Sequence, residues 1–268
     1  MIRRNDFIQI RKEVDLAVNE AFDFAKKNEK NKNDYILFLA RSSYDTVVNK
    51  TKFNPWQLEN SKVELYDRHR VDFLLQYLNQ QYGFLSENST DSKFSLGIEL
   101  MIYTHLWESK HNLGNFKKLA DLCDSREYDW NVVVPSESKY KFVKNHIREV
   151  FRKHNLKIYD VIKDSYKSQL RNAFAHSQYH FGLDSHSIFL ENYEENNQPI
   201  KSLTFDDWTI IFLKSALLQN FYHNKFTSEI KSLEDGKEFH VTMEFNGENK
   251  SGIISYDKKK DRFNSRIK

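Results

Sequence analysis

A chain of 268 residues can bury a substantial core, as one large domain or two small ones, and is long enough to be an enzyme. Its seven glycines and three prolines, set against abundant Lys, Glu, Asn, Leu and Phe, favour long helices over sheet. One cysteine excludes an internal disulfide, no apolar run approaches the roughly 20 residues that span a bilayer, and no charged-then-apolar leader opens the chain; a cytoplasmic protein is expected. A formal net charge of +3 is too small to identify a nucleic-acid partner, so the distribution of charge matters more than its sum.

In chain order, Phe7, Ile10, Val14, Ala17, Ala21 and Phe24 recur at helical spacing and define an amphipathic first helix. After a charged, Asn-rich break from Lys26 to Asn33, Asp34 can cap a second helix through Tyr35, Phe38, Leu39 and Val47, ended by Asn54-Pro55. Ser61 and Glu64 form a capping box for a third, buried along Val63, Tyr66, Phe73, Tyr77 and Leu78 and closed by Gly83. The polar run from Ser86 to Ser92 reads as a short linker, which sets residues 1–85 apart as an N-terminal helical region.

A second region, 92–232, opens with Phe94, Ile98, Met101, Ile102 and Leu106 on a strongly apolar helix. On that helix Trp107 reads as core and most charges as solvated, with Glu99 and His105 the two residues placed to support a site. Asn115 to Cys123 reads as a further helical turn or two, with Cys123 a packed small residue rather than a nucleophile. Arg126 to Pro135 is an aromatic, β-branched crossover that meets Ser136, an expected N-cap.

Between Lys139 and Lys167 stand nine Lys or Arg residues against three acids, a net charge of +6. Phosphate contacts supply most sequence-independent affinity for nucleic acid, so Lys144, Arg148, Arg152, Lys163 and Lys167 are candidate RNA contacts. Tyr140, Phe142, Tyr159 and Tyr166, interleaved with them, are suited either to stacking on bases or to filling the core. The same run precedes a long helical pattern, beginning about Leu156, that ends in Arg171-Asn172-Ala173-Phe174-Ala175-His176. There a permanent cation and a titratable imidazole share one short segment, enough to hold a phosphate and move a proton. On a straight helix Arg171 and His176 are about 140° apart and Asn172 and His176 about 40°, so Asn172 is the natural neighbour of the imidazole.

The segment R-N-A-F-A-H resembles the signature of the HEPN superfamily, an Arg followed four to six residues later by a His, with a polar residue directly after the Arg. Arg171, Asn172 and His176 match it; Gln169 and Leu170 stand where some members carry a charged group. The resemblance implies a HEPN-type helical bundle and a metal-independent, cofactor-free endoribonuclease of the toxin or phage-defence kind. It also implies a homodimer with motifs facing across the interface and products ending in a 2′,3′-cyclic phosphate. Such an enzyme puts a host's own RNA at risk, so some restraint is expected, for which an antitoxin or a defence-system partner is a candidate. Arg148 and His154 satisfy the loosest form of the spacing too, but Glu149 directly after that Arg repels phosphate and ranks the pair second.

Beyond the motif, Tyr179 and His180 are supporting candidates, with Gly182 expected to end the helix. His176 and His180 at i, i+4, with Asp184 and His186 close behind, also have metal-ligand spacing, which makes a metal-dependent hydrolase one alternative. A noncatalytic HEPN-like module binding RNA, nucleotide or protein is the other. Ser187 to Asn192 and Pro199 to Leu203 read as a small hairpin, and Thr204 with Asp207 caps a closing helix buried along Trp208, Ile211, Phe212, Ala216, Leu217 and Phe221. Past Asp235-Gly236, Phe239, Val241, Met243 and Phe245 alternate with polar residues, Asn246-Gly247 turns, and Gly252 to Tyr256 returns. The fold expected is therefore mainly α: a helical bundle with an N-terminal helical extension, a small β-hairpin after the motif helix, and a C-terminal β-hairpin with a mobile basic tail over 235–268.

Overall fold

The computed structural model describes residues 4–44, 56–57, 73–74, 76–77, 93–183, 186–192, 200–245 and 248–267. The expected third helix and the linker at Ser86 to Ser92 lie outside these residues, apart from two helical pairs at 73–74 and 76–77. Among the described residues the protein is mainly helical, with two small three-stranded antiparallel sheets and one short strand pair.

Helix α1 (Arg4–Asn28) buries Ile10, Val14, Ala17, Val18, Ala21, Phe22 and Ala25. Ala17, Ala21 and Ala25 fall at four-residue spacing, and such small side chains let a neighbouring helix approach closely. That neighbour is the long α9 (Phe205–Ser232), and α1 also packs on α4 (Lys110–Cys123) and α7 (Ile158–Ser165). One core consequently runs through α1 and the later helices alike. A fully enclosed side chain such as Phe22 or Trp208 contributes roughly 1.5–3 kcal/mol by leaving water.

Helix α2 spans Asp34–Leu39, much shorter than expected, and all six of its residues are buried. Asp34 is not its cap: Glu29 accepts from Asn33 N at 2.9 Å and Tyr35 N at 2.7 Å, while Asp34 turns back to accept from Asn31 N at 3.1 Å. Burial pushes the Asp34 carboxyl up to about 6, against the opposing hydrogen bonds from Asn31. The helix stops because Arg41 enters the left-handed region at φ 46° and Ser42 O is claimed by Lys118 Nζ at 2.8 Å and the Tyr128 hydroxyl at 2.7 Å. A two-residue strand pair, β1 (Ser43–Tyr44) with β2 (Trp56–Gln57), follows.

Helix α3 (Lys93–Glu108) runs almost directly into α4, which starts at Lys110 rather than Asn115 because Ser109 Oγ accepts from Asn112 N at 3.2 Å. Cys123 is a buried thiol, as expected of a packed residue. After the crossover, Ser138 rather than Ser136 precedes α5 (Lys139–Phe142). A π-helical turn (Val143–Arg148) leads on into α6 (Glu149–Lys153).

The single helix expected from Leu156 to beyond the motif is two, α7 and α8 (Ser168–Ala175). At the break Tyr166 and Lys167 are extended, and the buried Tyr103 hydroxyl of α3 replaces the lost helical partners, donating to Ser165 O and accepting from Lys167 N, both at 3.0 Å. The motif helix also ends early. Ser177 takes φ 56°, Gln178 N donates to Ala173 O at 2.8 Å and Ser177 N to Phe174 O at 3.4 Å, a Schellman closure built without glycine.

The chain beyond that closure is strand. β3 (Tyr179–Phe181), β4 (Ser187–Leu190) and β5 (Ser202–Thr204) form a three-stranded sheet where a hairpin was expected, and Gly182 N bonds to Ser187 O at the β3–β4 turn instead of ending a helix. Thr204 and Asp207 form the reciprocal capping box that opens α9. At the C-terminus β6 (Glu238–Phe245), β7 (Glu248–Asp257) and β8 (Arg262–Ile267) make the second sheet, which packs on α2 through β6. The supposed basic tail is thus largely a third strand. Phe263 is buried opposite Tyr256, ring centroids 5.0 Å apart, and Asp257 Oδ1 accepts from Lys259 N and Lys260 N in the turn.

Candidate functional site

Helix α8 lies against α3, with Phe174 and Ala173 turned into the core. Phe174 meets Trp208 edge-on at 5.1 Å and Tyr179 at 5.2 Å, while Trp208 meets Tyr103 at 5.2 Å. This aromatic bed fixes how far the motif helix can rotate, and so which residues it sends outward: Arg171 and Asn172 half-buried, Ala175 and His176 exposed. Tyr179, a supporting candidate, is part of the bed. Gln169 fastens the other side, donating to Ile200 O at 2.8 Å and accepting from Ile200 N at 2.9 Å.

Arg171 Nη1 donates to Glu108 Oε1 at the end of α3, and Lys139 Nζ donates to Glu108 Oε2. Two cations therefore share one carboxylate. The Arg171 and Lys139 side chains are 15% and 9% exposed and that of Glu108 30%, so the carboxylate is the member open to water. Arg171 Nε and the Tyr166 hydroxyl beside it are buried with no hydrogen-bond partner among the described residues. Burial pushes the Tyr166 phenol up, and the nearby Arg171 guanidinium opposes the shift. Sequence reading leaves Glu108 among the solvated charges of its helix and Lys139 as the first cation of the basic run; the structure joins both to the motif.

His176 is the C-cap of α8, φ −107° and ψ 9°, its amide bonded to Asn172 O at 3.0 Å. Its exposed imidazole has no hydrogen-bond partner among the described residues. The other supporting candidates fall elsewhere. Glu99 is buried and accepts from Trp208 Nε1 at 2.8 Å, so it holds the aromatic bed rather than the motif. His105 is exposed on α3, three residues before Glu108.

The metal-ligand spacing does not survive folding. With α8 ended at Ala175, His176 caps a helix while His180 lies on β3, bonded through Nδ1 to Glu191 at 3.0 Å and stacked on Phe189 at 5.2 Å. Asp184 lies outside the described residues, among which no three His, Cys, Asp or Glu gather as a metal site. His154 of the second Arg and His pair is likewise engaged, with Nε2 2.8 Å from Asp124 Oδ1. Burial pushes the Asp124 carboxyl up, but hydrogen bonds from Lys153, His154 and Arg126 outweigh it and hold it at about 2.

Of the five basic candidates, Arg148, Arg152, Lys163 and Lys167 adjoin one another, and Lys144 lies beside Tyr140. Lys144 Nζ lies 5.8 Å from the Tyr140 ring; Arg148, Arg152 and Lys163 surround Tyr159; Lys167 Nζ donates to Lys163 O at 2.8 Å. Burial pushes the Lys167 ammonium down, and the positive charges of Lys163, Arg148 and Lys214 act in the same direction against Asp164. Comparison with protein-family models, curated proteins and solved structures finds no match to this chain. Among the described residues, no helix is long and apolar enough to cross a membrane.

Proposed function

We propose that the protein is a HEPN-like, metal-independent endoribonuclease that cuts single-stranded or loop RNA by attack of the substrate's own 2′-hydroxyl. The observation that carries this reading is the opposite treatment of the two motif side chains. Arg171 is clamped in place by Glu108, while His176, one helical turn on, is exposed and uncommitted at the helix end. Phosphoryl chemistry asks for that division: a cation with fixed geometry to meet developing charge, and an imidazole free to exchange a proton.

In this scheme the 2′-oxygen forms a bond to the adjacent phosphorus, the bond to the 5′-oxygen breaks, and a 2′,3′-cyclic phosphate remains. His176 takes the 2′-proton or delivers a proton to the 5′-oxygen. A second copy of the chain supplies the complementary transfer in the homodimer that the motif resemblance implies. Arg171 stabilises the phosphorane-like charge, and Asn172 orients the imidazole or a phosphate oxygen. The basic face from Lys144 to Lys167 holds the substrate backbone. Incubating labelled tRNA and unstructured RNA with the protein in EDTA tests the reading. Wild type should cut, and Arg171→Ala and His176→Ala should not. Normal cleavage by both variants would reject it.

One observation favours the noncatalytic alternative. The Glu108 carboxylate already fills the position beside Arg171 that a phosphate would take. A wild-type protein that binds RNA in EDTA but never cuts it, with or without added metal ions, would establish that module instead.

A further inference from the structure

Tyr159, half-buried on the first turn of α7, has three cations around its ring. The guanidinium carbons of Arg148 and Arg152 each lie 6.0 Å from the ring centroid and Lys163 Nζ lies 5.7 Å away. They arrive from two directions. Arg148 closes the π-helical turn and Arg152 follows four residues later on α6, whereas Lys163 lies four residues beyond Tyr159 on α7. Lys167 and then Arg171 continue the same four-residue register. The break between α7 and α8 leaves the row joined, since Lys167 Nζ donates to Lys163 O at 2.8 Å and Arg171 N to Lys167 O at 3.1 Å. The step from Tyr159 to Lys163, four residues within α7, is about 6 Å, comparable with one nucleotide of an extended strand.

The cations of this row are under-neutralised. Glu149 alone serves both Arg148 and Arg152, at 2.9 and 2.8 Å, and neither Lys163 nor Lys167 forms an ion pair among the described residues. Lys214, by contrast, is matched by two carboxylates, Glu13 and Asp164. Positive charge left over beside an aromatic ring suits a ligand that has both phosphates and a flat π-face.

We propose that Tyr159 and its cations form a landing site for single-stranded RNA. One base stacks on the Tyr159 ring, flanking phosphates meet Arg152 and Lys163, and the strand follows Lys167 to Arg171. This rests on the RNA reading of the motif and adds to it a strand selectivity. Cations alone accept single strands and duplexes alike, but only an unpaired base has a face free to stack. The phenol oxygen plays no part, so a phenylalanine serves equally well.

The test is fluorescence anisotropy in EDTA with a labelled 2′-O-methyl oligouridine, which has no 2′-hydroxyl to attack and so reports binding without cleavage. Tyr159→Leu should bind roughly tenfold more weakly with an unchanged salt dependence, as loss of a stacked base without loss of charge requires. Tyr159→Phe should match wild type. Arg152→Ala with Lys163→Ala should weaken binding and flatten the slope of log affinity against log salt by about 1.4, the contribution of two phosphate contacts on a single strand. A duplex of equal length should compete poorly. Wild-type binding by Tyr159→Leu, equal competition by duplex, or no binding by wild type would overturn the proposal. If Tyr159→Leu fails to fold, the double variant and the duplex competition decide, since neither alters Tyr159. Cleavage by wild type together with unaltered binding by Tyr159→Leu removes the landing site and leaves the nuclease. Weakened binding by Tyr159→Leu, in a protein that never cuts RNA, does the reverse.

Discussion

The chain contains two Arg and His pairs of nearly equal spacing, Arg148 with His154 and Arg171 with His176, and the fold treats them differently. Both arginines meet a carboxylate, Glu149 in the first case and Glu108 in the second. The histidines separate them. His154 is tied to Asp124 at 2.8 Å and packed 5.3 Å from the Phe24 ring, a strut between α6 and the end of α4. His176 ends its helix in solvent. A spacing rule therefore selects residues that can do chemistry, and the partner each imidazole finds determines whether it remains available for proton transfer.

The largest expected effect lies in exchanging the two histidines. Under the proposed mechanism His176→Ala and Arg171→Ala each lower the cleavage rate by about 10²- to 10⁴-fold, whereas His154→Ala leaves the rate per folded molecule unchanged. Timed cleavage of labelled RNA in EDTA measures all three, and a dead His154→Ala beside an active His176→Ala would invert the comparison.

Next comes the strut itself. Asp124→Asn should cost about 2 kcal/mol in urea unfolding at pH 6, discounted because Arg126 and Lys153 are largely exposed. The Asp124 carboxyl is held at about 2, below its ordinary 3.8. Its stabilisation is thus complete above about pH 4 and is lost as the pH falls through 2. The gap between wild type and Asp124→Asn should narrow on acidification; a gap that stays constant down to pH 2 would contradict the pairing.

Glu108→Gln sharpens the other half. It leaves Lys139 and Arg171 without their shared anion, so the expected cost is about 1 kcal/mol in stability, with a roughly tenfold lower cleavage rate from a misplaced guanidinium. A faster enzyme would mean that Glu108 competes with the substrate phosphate instead of positioning Arg171. The smallest effect belongs to Arg148→Ala. Read as a backbone contact, it should flatten the salt dependence of RNA binding by about 0.7 while the rate at saturating RNA stays at the wild-type value. A fall in that saturated rate would bring Arg148 into the chemistry.

The parts of the fold legible in the sequence are those whose causes are local. The apolar period of α1, the Thr204 and Asp207 box that opens α9, and the alternation that makes β6 and β7 each need only residues a few positions apart. The charge excess between Lys139 and Lys167 was also readable, because a dense basic run cannot be hidden on one face. The third strand β8 was less so: Phe263 does mark its buried side, but the surrounding Lys and Arg suggested a solvated tail.

What the tertiary structure alone decided was where helices stop and which way their polar residues face. Tyr103 splits α7 from α8 from more than one element away, a contact that no window around Tyr166 contains. Ser177 then closes α8 in a left-handed turn that sequence assigns to glycine, and that closure moves His180 onto a strand and dissolves the apparent metal spacing. Glu99 and Glu108, nine residues apart on α3, point to opposite sides of it by helical geometry alone. Composition and spacing could nominate Arg171 and His176. Choosing Glu108 over Glu99 as the group beside Arg171 required knowing which side of α3 the core had already taken through Trp208, and that depends on the packing of the whole bundle.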